Sequence, residues 1–373
     1  MNMSFKWATC LSALTVSLLF VEVATAQHQN EGVLNVYNWK DYIAPDTIEN
    51  FEKETGIKVR YDTFESNESL HAKLTTGSLG YDVIVPGSHF AKQQIAAGLL
   101  QKLDKSKLPN LKNLDPAIQA QLSKVDRGNE YLVDWLWGYT TIGINIDKVK
   151  QALGGAALPE NAWDLVFKAE YASKLKTCGI SVLDSASEVM PIVLNYVGKD
   201  PYSKEHEDYK KAGEMLKAIR PYVTHFVDSG SDYIEQIAKG NICVALGWSG
   251  DIMIAANQAK ENKTGQKIQV LVLKGGLLFF DVMAIPKSAR NVDNAHKWID
   301  YIMRPEVHAS LTNTVFFANP NKASLRFVKP EIVSDKAVFL PANVLGGMLP
   351  PGAPNHMIQR IVVQTFANFK ADQ

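Results

Sequence analysis

The chain has 373 residues, 46% of them hydrophobic and 21% charged, with 24 Gly, 16 Pro and 3 Cys. These proportions exclude disordered, collagen-like and disulfide-dense classes and predict two globular domains. Lys plus Arg and Asp plus Glu both total 39, so the basic excess of a nucleic-acid or anionic-membrane binder is missing.

Met1 to Ala26 reads as a cleaved secretory signal, with Lys6, an apolar core from Leu11 to Val21, and Ala24-Thr25-Ala26 at its end. The apolar run is too short to span about 30 Å of hydrocarbon. Cys10 precedes that core and does not sit at a cleavage point, which speaks against a lipid anchor. Cleavage near Ala26 would release an exported, soluble protein whose remaining cysteines are Cys178 and Cys243. An oxidising compartment favours their pairing.

Strands and helices are then expected to alternate. Val33 to Asn38 is β-prone, and Pro45 opens a helix that runs through Phe51 and is stopped by Gly56. Ile57, Val59 and Tyr61 alternate with polar residues, as in a half-buried strand. Ser66-Asn67 caps a second helix through Leu74, and Tyr81 to Val85 forms a strand closed by Pro86-Gly87. This succession predicts an α/β domain with a largely parallel sheet, whose ligands bind at the carboxyl ends of its strands. Trp135 to Trp137, Gly138 to Thr141 and Ile142 to Ile146 read as a crossing between two lobes. Ile242 to Trp248 and Leu277 to Ile285 are two further buried strands, the first followed by a helix to Lys260.

No dinucleotide fingerprint, phosphate loop or H-E-x-x-H zinc motif occurs, and the eight histidines include no i, i+4 pair. Gly247-Trp248-Ser249-Gly250 lacks the second spacer of a nucleophile elbow. No cofactor or metal is therefore expected. What recurs is an aromatic beside a carboxylate at a strand end: Trp39 with Asp41 and Tyr42, Trp248 with Asp251, and Phe279 with Asp281. Extended backbone would put Trp39 and Asp41 on one face, and likewise Phe279 and Asp281. Asp281 has no Lys or Arg within six positions, so burial obliges it to meet a cation, hydrogen-bond donors or water. Singly, the rings could be core residues and Asp251 a helix cap. Three such pairs together suit an organic cation, held by cation–π contact and charge-assisted hydrogen bonds.

On these residues the chain resembles the periplasmic polyamine-binding proteins of bacterial ABC transporters, especially the putrescine-binding branch. The likeness extends from about Val33 to Phe327. It is carried by Tyr37-Asn38-Trp39-Lys40-Asp41-Tyr42-Ile43, Phe51 to Val59, Leu103 to Pro109, Ile242 to Asp251, and Phe279 to Pro286. The resemblance implies a periplasmic binding protein of type II-like α/β architecture, with two lobes, a hinge and an interlobe ligand cleft. The expected division is 1–26 as signal, 27–138 with 255–315 as one lobe, and 139–254 with 316–373 as the other.

Carried over residue by residue, Trp39, Tyr42, Trp248 and Phe279 would be aromatic walls, and Asp41, Asp251, Asp281 and Glu188 amine partners. Family members also have cysteines matching Cys178 and Cys243. The chain departs from the family at several places. Gly87 precedes Ser88 where serine usually follows the proline, so Ser88 would substitute through a shifted loop. Phe317 stands where the putrescine branch has tyrosine. Lys274-Gly275-Gly276 is one residue short, and His89 and Asp232 replace smaller or neutral residues. Ser185 stands where spermidine-preferring relatives tend to carry an acid. The expected function is delivery of a polyamine, putrescine foremost, to an inner-membrane ABC permease by a non-enzymatic monomer that binds no nucleic acid. The alternatives are the same fold binding spermidine or agmatine and, remotely, a secreted hydrolase using Asp and Glu pairs.

Overall fold

The computed structural model describes Met1 and residues 32–77, 80–228, 231–352 and 356–371. The expected signal, residues 1–26, lies outside them apart from Met1. Among the described residues no helix is long and apolar enough to cross a membrane.

Strand β1 (Val33–Trp39) lies between parallel strands β2 (Lys58–Phe64) and β3 (Val83–Ile84). Leu34 and Val36 are fully buried, because alternate side chains of β1 face the same core. The intervening helices, Thr47–Thr55 and Asn67–Thr75, end and begin as their local sequence dictates. Gly56 takes φ 71° to close the first, and the Ser66 hydroxyl accepts from the Ser69 backbone N–H to open the second. The strand expected over Tyr81 to Val85 pairs at only two residues. The Asp82 carboxylate instead binds the backbone N–H groups of Asn35, Arg290 and Asn291 at 2.9–3.0 Å.

The two apolar segments around Gly138 form a single buried strand, β4 (Val133–Asn145). Further strands are β5 (Ile180–Leu183), β6 (His225–Val227), β7 (Val244–Trp248), β8 (Ile268–Leu271) and β9 (Leu277–Met283). They build a second sheet in the order β6-β5-β7-β4-β8, with β9 pairing β4 antiparallel from Val133↔Met283 to Thr140↔Leu277. Just beyond β9, Ala284 exchanges backbone hydrogen bonds with Ile84 on β3, which ties β9 to the first sheet as well.

One core holds Val36, Phe51, Val133, Trp135, Met283 and Trp298. The other holds Ile142, Ile144, Val182, Leu216, Val244 and Leu277. Strands β4 and β9 therefore run through both cores and connect two α/β lobes, with Trp137–Thr141 at the crossing. Helix Ser249–Glu261 packs through Ala255 and Ala259 on Tyr233, Ile237 and Ala245 of the second lobe, while its Ile254 also touches the first core. The segment expected to leave for the first lobe at residue 255 thus stays with the second until β9. Phe317, expected with the second lobe, packs in the first core. The apolar face of helix His356–Ala371 (Ile358, Val362, Phe366) joins Tyr209 and Leu216 in the second core.

Cys178 and Cys243 form a disulfide spanning 65 residues, at the head of neighbouring parallel strands β5 and β7. Loop entropy limits its contribution to about 4 kcal/mol. Urea unfolding with and without reductant should show a stability loss of up to that size, with the midpoint falling and the slope steeper once the unfolded chain is free of the cross-link.

Candidate functional site

The β4–β9 crossing brings residues of all three aromatic–carboxylate groups to one pocket between the lobes, lined by Trp39, Tyr42, Glu188, Trp248, Asp251, Phe279, Asp281 and Phe317, together with Lys40, Asn67, Gly87 and His89. Trp39, Trp248, Asp251 and Glu188 arrive from a strand end or from the helix that follows. Trp39 ends β1 and Trp248 ends β7, where it pairs with Thr140 of β4. Asp251 sits in the first turn after Trp248, while Phe279 and Asp281 share a face of β9. Glu188 lies in the first turn of helix Ala186–Tyr196, after β5.

Phe317 is placed by two devices. Phe316 adopts φ 57° to end helix Pro305–Val315, and the Trp137 N–H donates to the Ala318 carbonyl at 2.8 Å. Its ring then lies edge-on to Tyr42 at 5.1 Å and 5.8 Å from Phe279. Gly138 and Gly250 make room for it: a Cβ at 138 would fall 2.7 Å from the ring, and one at 250 would also collide with it. Gly250→Ala should therefore displace Phe317 and weaken binding of any ligand that uses this wall, read as a raised Kd in calorimetry with the thermal midpoint lowered by the overpacked contact.

Asp281 and Glu188 are buried at the site and Asp251 is half-buried, and among the described residues none of the three forms an ion pair with Lys or Arg. Asp281 accepts from the Tyr42 hydroxyl at 3.0 Å, Asp251 from the Tyr233 hydroxyl at 2.7 Å, and Glu188 from the Thr140 hydroxyl at 2.6 Å. Burial pushes Asp251 up to about 7, aided by the nearby Asp41 charge and opposed by Tyr233. Glu188 likewise rises to about 7 through burial, with Thr140 opposing and Glu68 adding to the rise. Asp281 rises well above the ordinary carboxylate range, again chiefly through burial. Neutral hydroxyls do not compensate ionised carboxylates in these surroundings, so each acid favours its protonated form until a cation meets it. The surrounding rings present π faces and apolar walls suited to methylenes between them.

Two expected contributors are placed differently. β1 ends at Trp39, and Asp41 turns at φ 54° into an exposed position, so Trp39 and Asp41 do not share an extended face. Asp41 acts on the pocket through its charge on Asp251. Ser88 is buried at the start of helix Ser88–Ala96 but does not line the pocket, and its hydroxyl has no partner among the described residues. Gly87 and His89 line it in its place. Asn67, read from sequence as part of a helix start, reaches the pocket because its side-chain oxygen accepts from the Gly87 N–H at 2.7 Å. No local pattern marks that long-range contact, nor the arrival of Lys40 at the rim.

Two α/β lobes with paired crossing strands and a pocket enclosed between them define the class of binding proteins that close on a small solute. The chain belongs to the bacterial extracellular solute-binding protein family, which it matches over residues 46–340. It is 44% identical over 368 residues to the putrescine-binding periplasmic protein PotF of Escherichia coli, covering 98% of both chains. It is 46% identical over 333 residues to the putrescine-binding periplasmic protein SpuD of Pseudomonas aeruginosa, covering 89% of this chain and 90% of that one. The structure of a putative spermidine/putrescine ABC transporter protein from Listeria monocytogenes superposes with a TM-score of 0.81 at 33% identity, over 92% of this chain and all of that one. The relatives from Escherichia coli and Pseudomonas aeruginosa are periplasmic binding proteins.

Proposed function

We propose that this protein binds putrescine in the interlobe pocket and delivers it to an inner-membrane ABC permease, acting in the periplasm as a non-enzymatic monomer without affinity for nucleic acid. The observation that carries the reading is the group of three carboxylates, two buried and one half-buried, each bonded among the described residues to a hydroxyl alone, with Trp39, Trp248, Phe279 and Phe317 around them. A linear diamine supplies one ammonium at each end and four methylenes for the rings between. Asp281 with Glu188 would receive ammonium charge on one side and Asp251 on the other. The names of the two bacterial relatives, both putrescine-binding, support the same ligand.

The proposed lobes are residues 33–138 with 281–328, and 139–280 with 356–371, hinging where β4 and β9 cross. Closure would bring Glu188, Trp248 and Asp251 from one lobe onto Trp39, Tyr42 and Asp281 of the other.

Putrescine has about six heavy atoms, and a ceiling near −1.5 kcal/mol per atom sets its best affinity at about −9 kcal/mol, which is sub-micromolar. Titration calorimetry over putrescine, cadaverine, agmatine, spermidine and spermine tests the reading. Putrescine should bind with one-to-one stoichiometry, at least tenfold more tightly than spermidine, and be recovered unchanged. Turnover of the amine would favour an enzyme, and equal competition by spermidine would remove the specificity while leaving polyamine binding in place.

A further inference from the structure

A second cavity lies directly beyond the diamine pocket. It is lined by Glu68, Phe90, Ser187, Met190, Pro191 and Tyr202 among others, and the two cavities have one lining residue in common, His89. The chemistry of the second cavity repeats that of the first, with aromatic rings, apolar side chains and one acid. The Glu68 carboxylate accepts from the Ser187 hydroxyl at 3.2 Å across the lobes, and burial raises its pKa. Glu68 and Glu188 are close enough for each carboxylate of the diamine pocket on this side to feel the next, since Glu68 contributes to the raised pKa of Glu188.

The His89 imidazole stands between these compartments, buried, with its Nε2 lacking a partner among the described residues. Its ring is folded back over Gly87. A Cβ on residue 87 would lie 3.1 Å from the His89 Cε1 and 3.0 Å from the Asn67 side-chain nitrogen. Glycine at 87 therefore lets a large side chain two residues later occupy the space at the pocket wall. The ring is held by the edge of Phe90, 4.9 Å away centre to centre, and no hydrogen bond at Nε2 anchors it.

We infer that His89 is a length filter toward Glu68: its imidazole separates the diamine pocket from the cavity beside Glu68 and keeps the third ammonium of a linear triamine from reaching that acid. This rests on the polyamine reading of the first pocket. A diamine needs only the compartment bounded by Trp39, Trp248 and Asp281. A triamine carries about one more aminopropyl unit, whose ammonium requires an acceptor to be buried at all. Glu68 is such an acceptor, and its carboxylate meets a neutral hydroxyl, that of Ser187.

The test is calorimetry at pH 8 with putrescine and spermidine on the full-length mature protein and on His89→Ala, His89→Ser, Glu68→Gln and His89→Ala/Glu68→Gln. The readout is the ratio of the two affinities, which a general structural defect would not shift selectively. His89→Ala and His89→Ser should each move the ratio at least tenfold toward spermidine, and adding Glu68→Gln should return it to within threefold of the wild-type value. A ratio within twofold of wild type in both His89 variants, or a spermidine gain that survives Glu68→Gln, would overturn the filter while leaving polyamine binding intact. Wild-type protein that gives no heat with either amine would instead overturn the polyamine reading, and the filter with it.

Discussion

Asp281→Asn weakens putrescine binding by about 2–5 kcal/mol, because it removes the charge from one partner of a buried pair while the ligand ammonium must still be desolvated. The substitution keeps the shape of the side chain and its capacity to accept from Tyr42, whose hydroxyl lies 3.0 Å from the carboxylate. The unliganded protein should respond in the opposite direction. Burial, with the Glu188 and Asp134 charges, already opposes ionisation of Asp281, so a neutral amide relieves that penalty and the thermal midpoint of the apo form should hold or rise. Calorimetry and thermal unfolding on the same variant separate the roles. A purely structural Asp281 would show a lowered midpoint with affinity within twofold of wild type.

Lowering pH from 8 to 5.5 should weaken putrescine binding steeply while stabilising the empty protein over the upper part of that range. Asp251 and Glu188 are raised to about 7 in the empty site. A diamine with amines of ordinary basicity stays doubly charged throughout. Below about pH 7 each of these carboxylates must shed a proton to receive an ammonium, costing about tenfold in affinity per pH unit per group. Binding near pH 7 should therefore release protons, visible as a calorimetric enthalpy that varies with buffer ionisation heat. For the empty protein the sign follows from folded pKa values above the unfolded ones. The favourable contribution of protonated carboxylates is complete below the unfolded pKa and is lost as pH rises through about 7, or about 8 for the buried Asp134. For Asp251 and Glu188 this corresponds to about 3–4 kcal/mol each at most. Stability should accordingly rise from pH 8 to about 6.5. Below that, buried His89 and His308, both lowered to about 4, act in reverse, since unfolding lets them take up protons. A Kd unchanged between pH 8 and 5.5 would mean that the ligand does not engage these acids.

Much of this protein is determined by local sequence. The alternation along β1 and β2, the Gly56 stop, the Ser66 cap and the apolar runs of β7 and β9 each follow from residues within a few positions of one another, because backbone periodicity and capping are local chemistry. The isolation of Asp281 among apolar neighbours, and the recurrence of a ring beside an acid at strand ends, marked most of the pocket for the same reason. Glu188 came from family likeness alone, since as a first-turn helix residue it carries no local sign of burial. What tertiary structure decided are matters of long-range approach. β4 is one strand shared by two cores, which no window around Gly138 reveals. The left-handed turn at Asp41 takes that acid out of the face that an extended chain would give it. Ser88 gives way at the wall to Gly87 and His89, because Asn67, 20 residues away, holds the Gly87 N–H and leaves the imidazole the space beside it. Contacts of this kind depend on where separate elements come to rest against each other, and side-chain packing between distant segments is what a linear pattern does not encode.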